Sequence, residues 1–515
     1  MDLCIDNTDC LHKCNAVYKV RICTNTNDME IYAMTPFSSI LEFYMKEKSI
    51  KTYSIAQFCE MDRSNMYKII NGKRNPPSEE IVEKIAEYMR LMPTERSRLM
   101  EAYQITIMGY HTYHRRKSVQ DFLVSFCADY AKPEEKQIWQ EYVTVNEQEL
   151  ILWQGTVVKD QQLKHLISSV LNIEAQRMGG RICLIMQPED NPIMDLLVSA
   201  GIRSANLCIE HIFCLSNTND IVSEKKDYNL YCLKNILPMF IQCVCSYQPY
   251  CYYDNIVSHN TRFNLLSSML LTSEYAIIFS MEEDYGMLLS DKDTVQHLHR
   301  LFQSLKDDTS LMADKVNSLE RQLTAFETVN FSDKGVGFQP EACLLPVIPT
   351  AFLEKYLNRD LLSQEPVKKR VYRYIRQSQQ IQEETKSIFI FTENGIRRFV
   401  DNGRISELPD SVYDPLEYKD RLLLLQKLVK ECEKGRYQMM RCDAPIADVD
   451  ICLYSAVQDG YLLIPTTRND RIFLKIKESG LLNTFRDYFE SLDRKYFYSE
   501  DETVNILEEL LKKPH

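Results

Sequence analysis

A chain of 515 residues, 45% hydrophobic and 26% charged, has room for about three domains and the make-up of a folded globular protein. Its net charge of −12 excludes a whole-surface grip on nucleic acid, so any contact with phosphates must come from a local basic face. Seventeen cysteines sit mostly singly, as in Ile182-Cys183-Leu184 and Ile451-Cys452-Leu453, and no secretory signal opens the chain. They read as reduced thiols acting as small hydrophobes, and the expected location is cytoplasmic.

Residues 1–35 read as a poorly ordered extension, with Met29 or Met34 as an alternative start. Cys4, Cys10, His12, Cys14 and Cys23 lack the Cys-x-x-Cys pair of a zinc site, so no metal is expected there. From Phe37 the pattern turns helical. A first helix starts near Ser39, and Ser54–Pro76 then places Ile55, Ala56, Cys59 and Met61 on one buried face and Met66, Ile69 and Ile70 on the next. Asp62 stands at the N-cap position of the second helix of this pair, and Gly72 at its C-terminal stop. The outward positions are Arg63, Ser64, Asn65, Tyr67, Lys68 and Asn71, followed by the basic turn Lys73-Arg74-Asn75. Arg63, Asn65 and Lys68 are the candidate base readers; Tyr67, Asn71, Lys73 and Arg74 are the candidate phosphate contacts. Ser78 then caps a helix with Ile81, Ile85, Ala86 and Met89 inward, and Pro93 opens one with Leu99, Ala102 and Tyr103 inward. His111 to Lys117 is a basic linker with no assigned role.

The residues Ile55-Ala56, Met61, Asp62, Met66, Gly72-Lys73-Arg74 and Pro76 resemble the helix-turn-helix of the XRE family, the lambda-repressor-like regulators. Two places depart from that pattern. Glu60 stands where the family has its turn glycine, and Ile70-Asn71 where it has a glutamate ahead of the second glycine. The resemblance implies an all-α DNA-binding domain over 36–117 that reads paired half-sites as a homodimer.

Beyond Ser118 strand-like runs such as 150–153 and 182–186 alternate with helical ones, which predicts α/β structure. The apolar stretch 230–253 is broken by Lys234, Asn235, Pro238 and Gln242, so no membrane span is expected. Two stretches superpose with one gap: Tyr275 to Leu305 and Tyr461 to Leu492. In their closing helices Val295, Leu298, Phe302 and Leu305 fall opposite Leu482, Phe485, Phe489 and Leu492. The expected architecture is therefore multidomain: the lambda-repressor-like helix-turn-helix domain, then a duplicated α/β (α+β) C-terminal body. One copy spans 118–311, a helical connector 312–330, and the second copy 331–515. The run Phe391 to Gly403, continuing through Leu408-Pro409 to Tyr413 and Arg421, weakly resembles a degenerate phospholipase-D-like half fold.

No catalytic set is found. None of the nine histidines is followed two residues later by the lysine that phospholipase-D chemistry needs, and Gly335-Val336-Gly337 stands in a loop without a third glycine. His297 and His299, two apart on a helix, point to different sides. Asp443, Asp448 and Asp450 read as a solvated loop. The reading is a sequence-specific transcriptional regulator, not an enzyme and without cofactor. It binds double-stranded DNA as a homodimer and answers a small-molecule or protein effector through its C-terminal body. The alternatives are a phosphodiesterase-like enzyme targeted by a helix-turn-helix, and an interaction scaffold in which Glu60 and the acidic body have abolished DNA contact.

Overall fold

The computed structural model describes residues 20–21, 32–130, 147–189, 192–217, 227–256, 266–280, 284–316, 321–324, 334–362, 365–384, 387–408, 412–465 and 471–512. The chain divides into two compact units, Met1–Arg115 and Arg116–His515. Cys4, Cys10, His12, Cys14 and Cys23 lie outside the described residues.

In the first unit β1 (Val20–Arg21) pairs antiparallel with β2 (Tyr32–Ala33). Helices α1 (Pro36–Glu47), α2 (Thr52–Phe58), α3 (Arg63–Ile70), α4 (Glu79–Tyr88) and α5 (Pro93–Met108) follow, and the division between units falls inside α6 (Tyr110–Tyr130). Phe37 and Leu41 of α1, Ile55 and Ala56 of α2, Met66 and Ile69 of α3, Val82 and Ile85 of α4, and Leu99 and Tyr103 of α5 form one core. The helices are short because each of the first four is stopped the same way. A residue with positive φ follows the C-cap, and the next N–H turns back five residues: Ile50 to Met45, Met61 to Ala56, Lys73 to Lys68 and Leu91 to Ala86, at 2.8–3.0 Å. This is the Schellman motif, and Ile50, Met61 and Leu91 pack against the core as its apolar closing residues. Only one of the four left-handed positions is glycine, Gly72; the others are Ser49, Glu60 and Arg90.

The second unit holds two mixed sheets in a multidomain α/β chain. The first has the order β10-β6-β5-β4-β7-β8-β9-β3, with β3 (Val157–Lys159), β4 (Arg181–Ile185), β5 (Cys208–Ser216), β6 (Ser246–Asp254), β7 (Ser268–Leu271), β8 (Ala276–Phe279), β9 (Tyr285–Leu289) and β10 (Ser310–Leu311). The second has the order β11-β17-β16-β15-β12-β13-β14. Its strands are β11 (Ala313–Val316), β12 (Val336–Phe338), β13 (Ile388–Thr392), β14 (Tyr437–Met440), β15 (Cys452–Ser455), β16 (Gly460–Pro465) and β17 (Arg471–Ile476). Read in chain order, seven strands match one for one in neighbour and direction. The second, third and fourth are parallel (β4, β5, β6; β12, β13, β14), and the rest run antiparallel back to the opening strand (β3; β11). Even the return past the fourth strand is shared, as β10 beside β6 and as a single bridge from Phe497 to Met440. The tripeptide Gln-Pro-Glu also recurs after the first parallel strand, at Gln187 after β4 and Gln339 after β12.

The largest core combines one face of each sheet with α8 (Asp160–Ala175), α9 (Pro192–Arg203), α10 (Tyr228–Ile241) and α17 (Ser479–Glu490), and Leu150 of α7 (Glu147–Trp153) joins it. On the far face of the first sheet, Val295 and Phe302 of α11 (Lys292–Asp307) cover Cys183, Ile212, Leu271 and Ala276. The far face of the second is covered by residues of α12 (Ala351–Tyr356), α14 (Glu365–Glu384), α15 (Glu393–Asn402), α16 (Tyr418–Cys432) and α18 (Glu500–Lys512); α13 (Arg359–Leu362) packs on α14. The described cysteines are free thiols, mostly buried. Among the described residues no helix is long and apolar enough to cross a membrane.

Three expectations are corrected. Residues 150–153 belong to helix α7, not a strand; only Leu150 is buried, and a four-residue apolar run does not discriminate the two periods. The segment 312–330, expected as a helical connector, begins with strand β11, which pairs with β17 from Ala313↔Ile476 to Val316↔Phe473. A sheet edge takes up these four residues, so the first strand of the second sheet precedes residue 331. Only 321–324 of the remainder is described as helical, and Leu319 lies outside the described residues. Gly335-Val336-Gly337, expected in a loop, leads into β12; a Cβ on Gly337 would come within 2.6 Å of the Phe389 ring, so the glycine permits that strand contact.

Candidate nucleic-acid interface

The side chain of Asp62 accepts from the N–H groups of Ser64 (2.8 Å) and Asn65 (3.2 Å), which closes the N-terminus of α3. Such a cap stabilises a helix by about 1 kcal/mol. Met66, Ile69 and Ile70 are buried, which fixes the roll of the helix. At roughly 100° per residue, Ser64 and Lys68 then lie opposite Met66, with Tyr67 on one flank and Asn65 on the other. Arg63, Ser64, Tyr67, Lys68, Lys73 and Arg74 are exposed; Asn65 and Asn71 are half-buried. The stretch from Lys51 to Asn75 carries Lys51, Arg63, Lys68, Lys73 and Arg74 against Glu60 and Asp62, a local excess of positive charge on an acidic chain.

The eight candidate residues are thus gathered on one helix and the turn after it, and the side chains of Asn65, Asn71 and Arg74 are engaged within that face. Arg74 Nη1 donates to Asn65 Oδ1 at 2.9 Å, so a candidate phosphate contact orients a candidate base reader. Asn71 Nδ2 donates to the Tyr67 carbonyl at 2.7 Å, which turns it toward its own helix. Neither link is visible from spacing alone. The Asn65–Arg74 bond depends on the fold-back after Gly72, whose left-handed φ of 72° turns the chain; a Cβ there would lie 2.9 Å from Ser38 Oγ. Glu60, in place of a turn glycine, holds the left-handed conformation at φ 53°, which costs a non-glycine residue roughly 1–2 kcal/mol.

Outside this face, the other sequence candidates are dispersed. Within α6, Arg116 makes a bidentate pair with Asp487 of α17 (both contacts 2.9 Å), and Lys117 pairs with Asp121. His297 and His299 lie on α11; His299 Nε2 is 3.0 Å from the Thr272 carbonyl. Asp448 accepts from Asn394 (3.1 Å), while Asp450 pairs with Arg471 (2.9 Å) and faces Arg398 (3.7 Å). Among the described residues no group of three or more His, Cys, Asp or Glu side chains is arranged to hold a metal ion.

No family model matches the chain, and no curated protein matches it. Solved structures similar to it include a polyphosphate kinase from Porphyromonas gingivalis, at 11% identity and a TM-score of 0.22, covering 72% of this chain and 54% of that one. A phosphatidylserine synthase from Haemophilus influenzae Rd KW20 has 10% identity and a TM-score of 0.21, with 68% of this chain and 90% of that one covered. TrmBL2, an archaeal chromatin protein described as binding DNA in a novel mode, has 12% identity and a TM-score of 0.19, with 39% and 59% covered. The match to the kinase spans about half of that chain, and superpositions at these TM-scores establish neither a shared fold nor a shared activity.

Proposed function

We propose that the chain is a sequence-specific DNA-binding transcriptional regulator. Residues 36–117 act in it as an XRE-type helix-turn-helix domain, and the C-terminal body senses a small-molecule or protein effector and holds a homodimer. The observation that supports this reading is the exposed face of α3. It is capped by Asp62 and stopped at Gly72, it bears Arg63, Ser64, Asn65, Tyr67 and Lys68, and a basic turn follows it. Such a helix docks in the major groove with its polar side chains at base edges, and the cations beside it meet phosphates. The left-handed Glu60 supports it too, because the backbone keeps the turn that the family builds with glycine. In this reading the body is not catalytic.

The test is Asn65→Ala with Lys68→Ala in the full chain. Fragments selected from genomic DNA by the wild type are titrated at fixed salt. Preference for the selected fragments over random DNA is expected to fall at least tenfold, as each lost bidentate base contact is worth about 1–3 kcal/mol, with the melting temperature unchanged. An unaltered preference removes α3 from the interface. If the wild type selects no DNA at all, the scaffold reading replaces this one.

A further inference from the structure

Helix α14 carries five cations in nine residues: Lys368, Lys369, Arg370, Arg373 and Arg376. No acidic residue stands between Glu365 and Glu383. Its apolar stripe of Val367, Val371, Tyr374 and Ile375 is buried against the second sheet. Lys369, Arg373 and Arg376, spaced i, i+4, i+7, therefore form one exposed line, with half-buried Lys368 and Arg370 beside it. Acids at its edge include Glu354, 3.7 Å from Lys368 and accepting from the Tyr372 hydroxyl, and Glu365, 4.0 Å from Lys369. Arg370 donates to Thr324 Oγ1 at 3.4 Å.

We infer that this line is a second, sequence-independent contact for the phosphate backbone of double-stranded DNA, an inference that rests on the DNA-binding reading above. A lipid surface is disfavoured, because the apolar face that would insert is already committed to the core. Over seven residues the helix advances about 10 Å, enough to meet successive phosphates of one strand, and two of the three outer cations are arginines, whose planar forks take phosphate oxygens in pairs. On a chain of net charge −12, concentrating cations here and around α3 gives the acidic protein local grips on a polyanion. A contact tethered to α3 by the same chain also acts at high effective concentration.

The experiment measures full-length protein on a 30-base-pair duplex of arbitrary sequence by fluorescence anisotropy across a potassium chloride series. Wild type is compared with Lys369→Gln/Arg373→Gln/Arg376→Gln and with Asn65→Ala/Lys68→Ala. The α14 triple variant is expected to flatten the slope of log affinity against log salt by roughly 2 to 3, at about 0.9 per lost phosphate contact. It should keep the wild-type preference for selected fragments. Arg376→Gln alone should flatten the slope by about 1, which guards against a triple variant that misfolds, and Lys369→Arg should leave the slope intact. An unchanged slope in the triple variant overturns the inference while leaving α3 in place. Loss of fragment preference on changing α3, with no effect from α14, has the same meaning. If the α14 dependence appears only with single-stranded RNA, the inference fails for DNA. If wild type binds no duplex, both it and the regulator reading fail.

Discussion

Glu210 and Glu407 are buried carboxylates, one in each half of the second unit, at 4% and 1% exposure. Glu210, on β5 under α11, receives Arg181 Nε at 2.6 Å and the ammonium of Lys306. Burial pushes its pKa up, but the hydrogen bonds from Lys306 and Arg181 outweigh that and hold it below the usual carboxylate value. Glu407, in the loop after α15, receives the Gln339 amide at 2.8 Å, and among the described residues no cation pairs with it. Burial pushes its pKa up to about 7, only partly offset by the Cys343 thiol and the Gln339 amide. The same strand order thus hosts a carboxylate with a lowered pKa beside one sheet and a carboxyl with a raised pKa beside the other. What the two sheets share is backbone pairing; which charge state a buried group favours is set by the side chains around it.

The largest effect is expected from breaking the pair. Lys306→Met leaves Glu210 with one partner in a low-dielectric site and should cost about 3 kcal/mol in urea unfolding at pH 7. The double variant with Glu210→Gln should recover most of that loss. A Lys306→Met protein as stable as wild type would mean that Arg181 alone satisfies the carboxylate.

Next comes the unpaired acid. A folded-state pKa raised from 4.5 to about 7 means that the folded chain holds a proton which the unfolded chain has released, so this group's contribution falls as pH rises from 4.5 to 7 and is level beyond. Glu407→Gln removes that decline. It should stabilise the protein by about 2 kcal/mol at pH 8, with the gain shrinking toward pH 4.5. The Glu210 contribution has the opposite sign, being present above the ordinary carboxylate range and lost as pH falls through its lowered folded value. Equal gains for Glu407→Gln at pH 5 and pH 8 would erase the contrast between the two halves.

The smallest effect concerns the same theme in the first unit, where Gly72 and Glu60 fill like positions at helix ends. Glu60→Gly should raise stability by about 1 kcal/mol, by relieving the left-handed glutamate. In the regulator reading proposed above, it should also strengthen DNA binding severalfold at low salt by removing a carboxylate beside α3. A melting temperature unchanged or lowered would show that Glu60 is held by contacts that offset its strain.

Much of α2 and α3 was legible because its signals are local. A cap acts over three residues and a helix stop over six, so Asp62 and Gly72 could be placed from spacing. The repeat between Tyr275 and Tyr461 was legible for a similar reason: it falls on β8 and β16, equivalent sixth strands, each closed by a covering helix. The Gln-Pro-Glu after β4 and after β12 is a second local signal of the same kind.

Other features depend on partners far along the chain. Val316 is a strand residue because Phe473, more than 150 positions later, offers a free edge, and its own pattern fitted a helix equally well. Arg74 steadies Asn65 only once the turn at Gly72 has brought it back. The cations of α14 are plain in the sequence, but which of them face outward was decided by the second sheet, which claims Val371 and Ile375. The sequence by itself determined where α3 starts and stops and which segment carries the local positive charge, since those are short-range matters of backbone hydrogen bonding and composition. Tertiary structure alone decided strand pairing at the edges, the raised pKa of Glu407 and the exposed line of α14, because each depends on burial by residues distant in the chain.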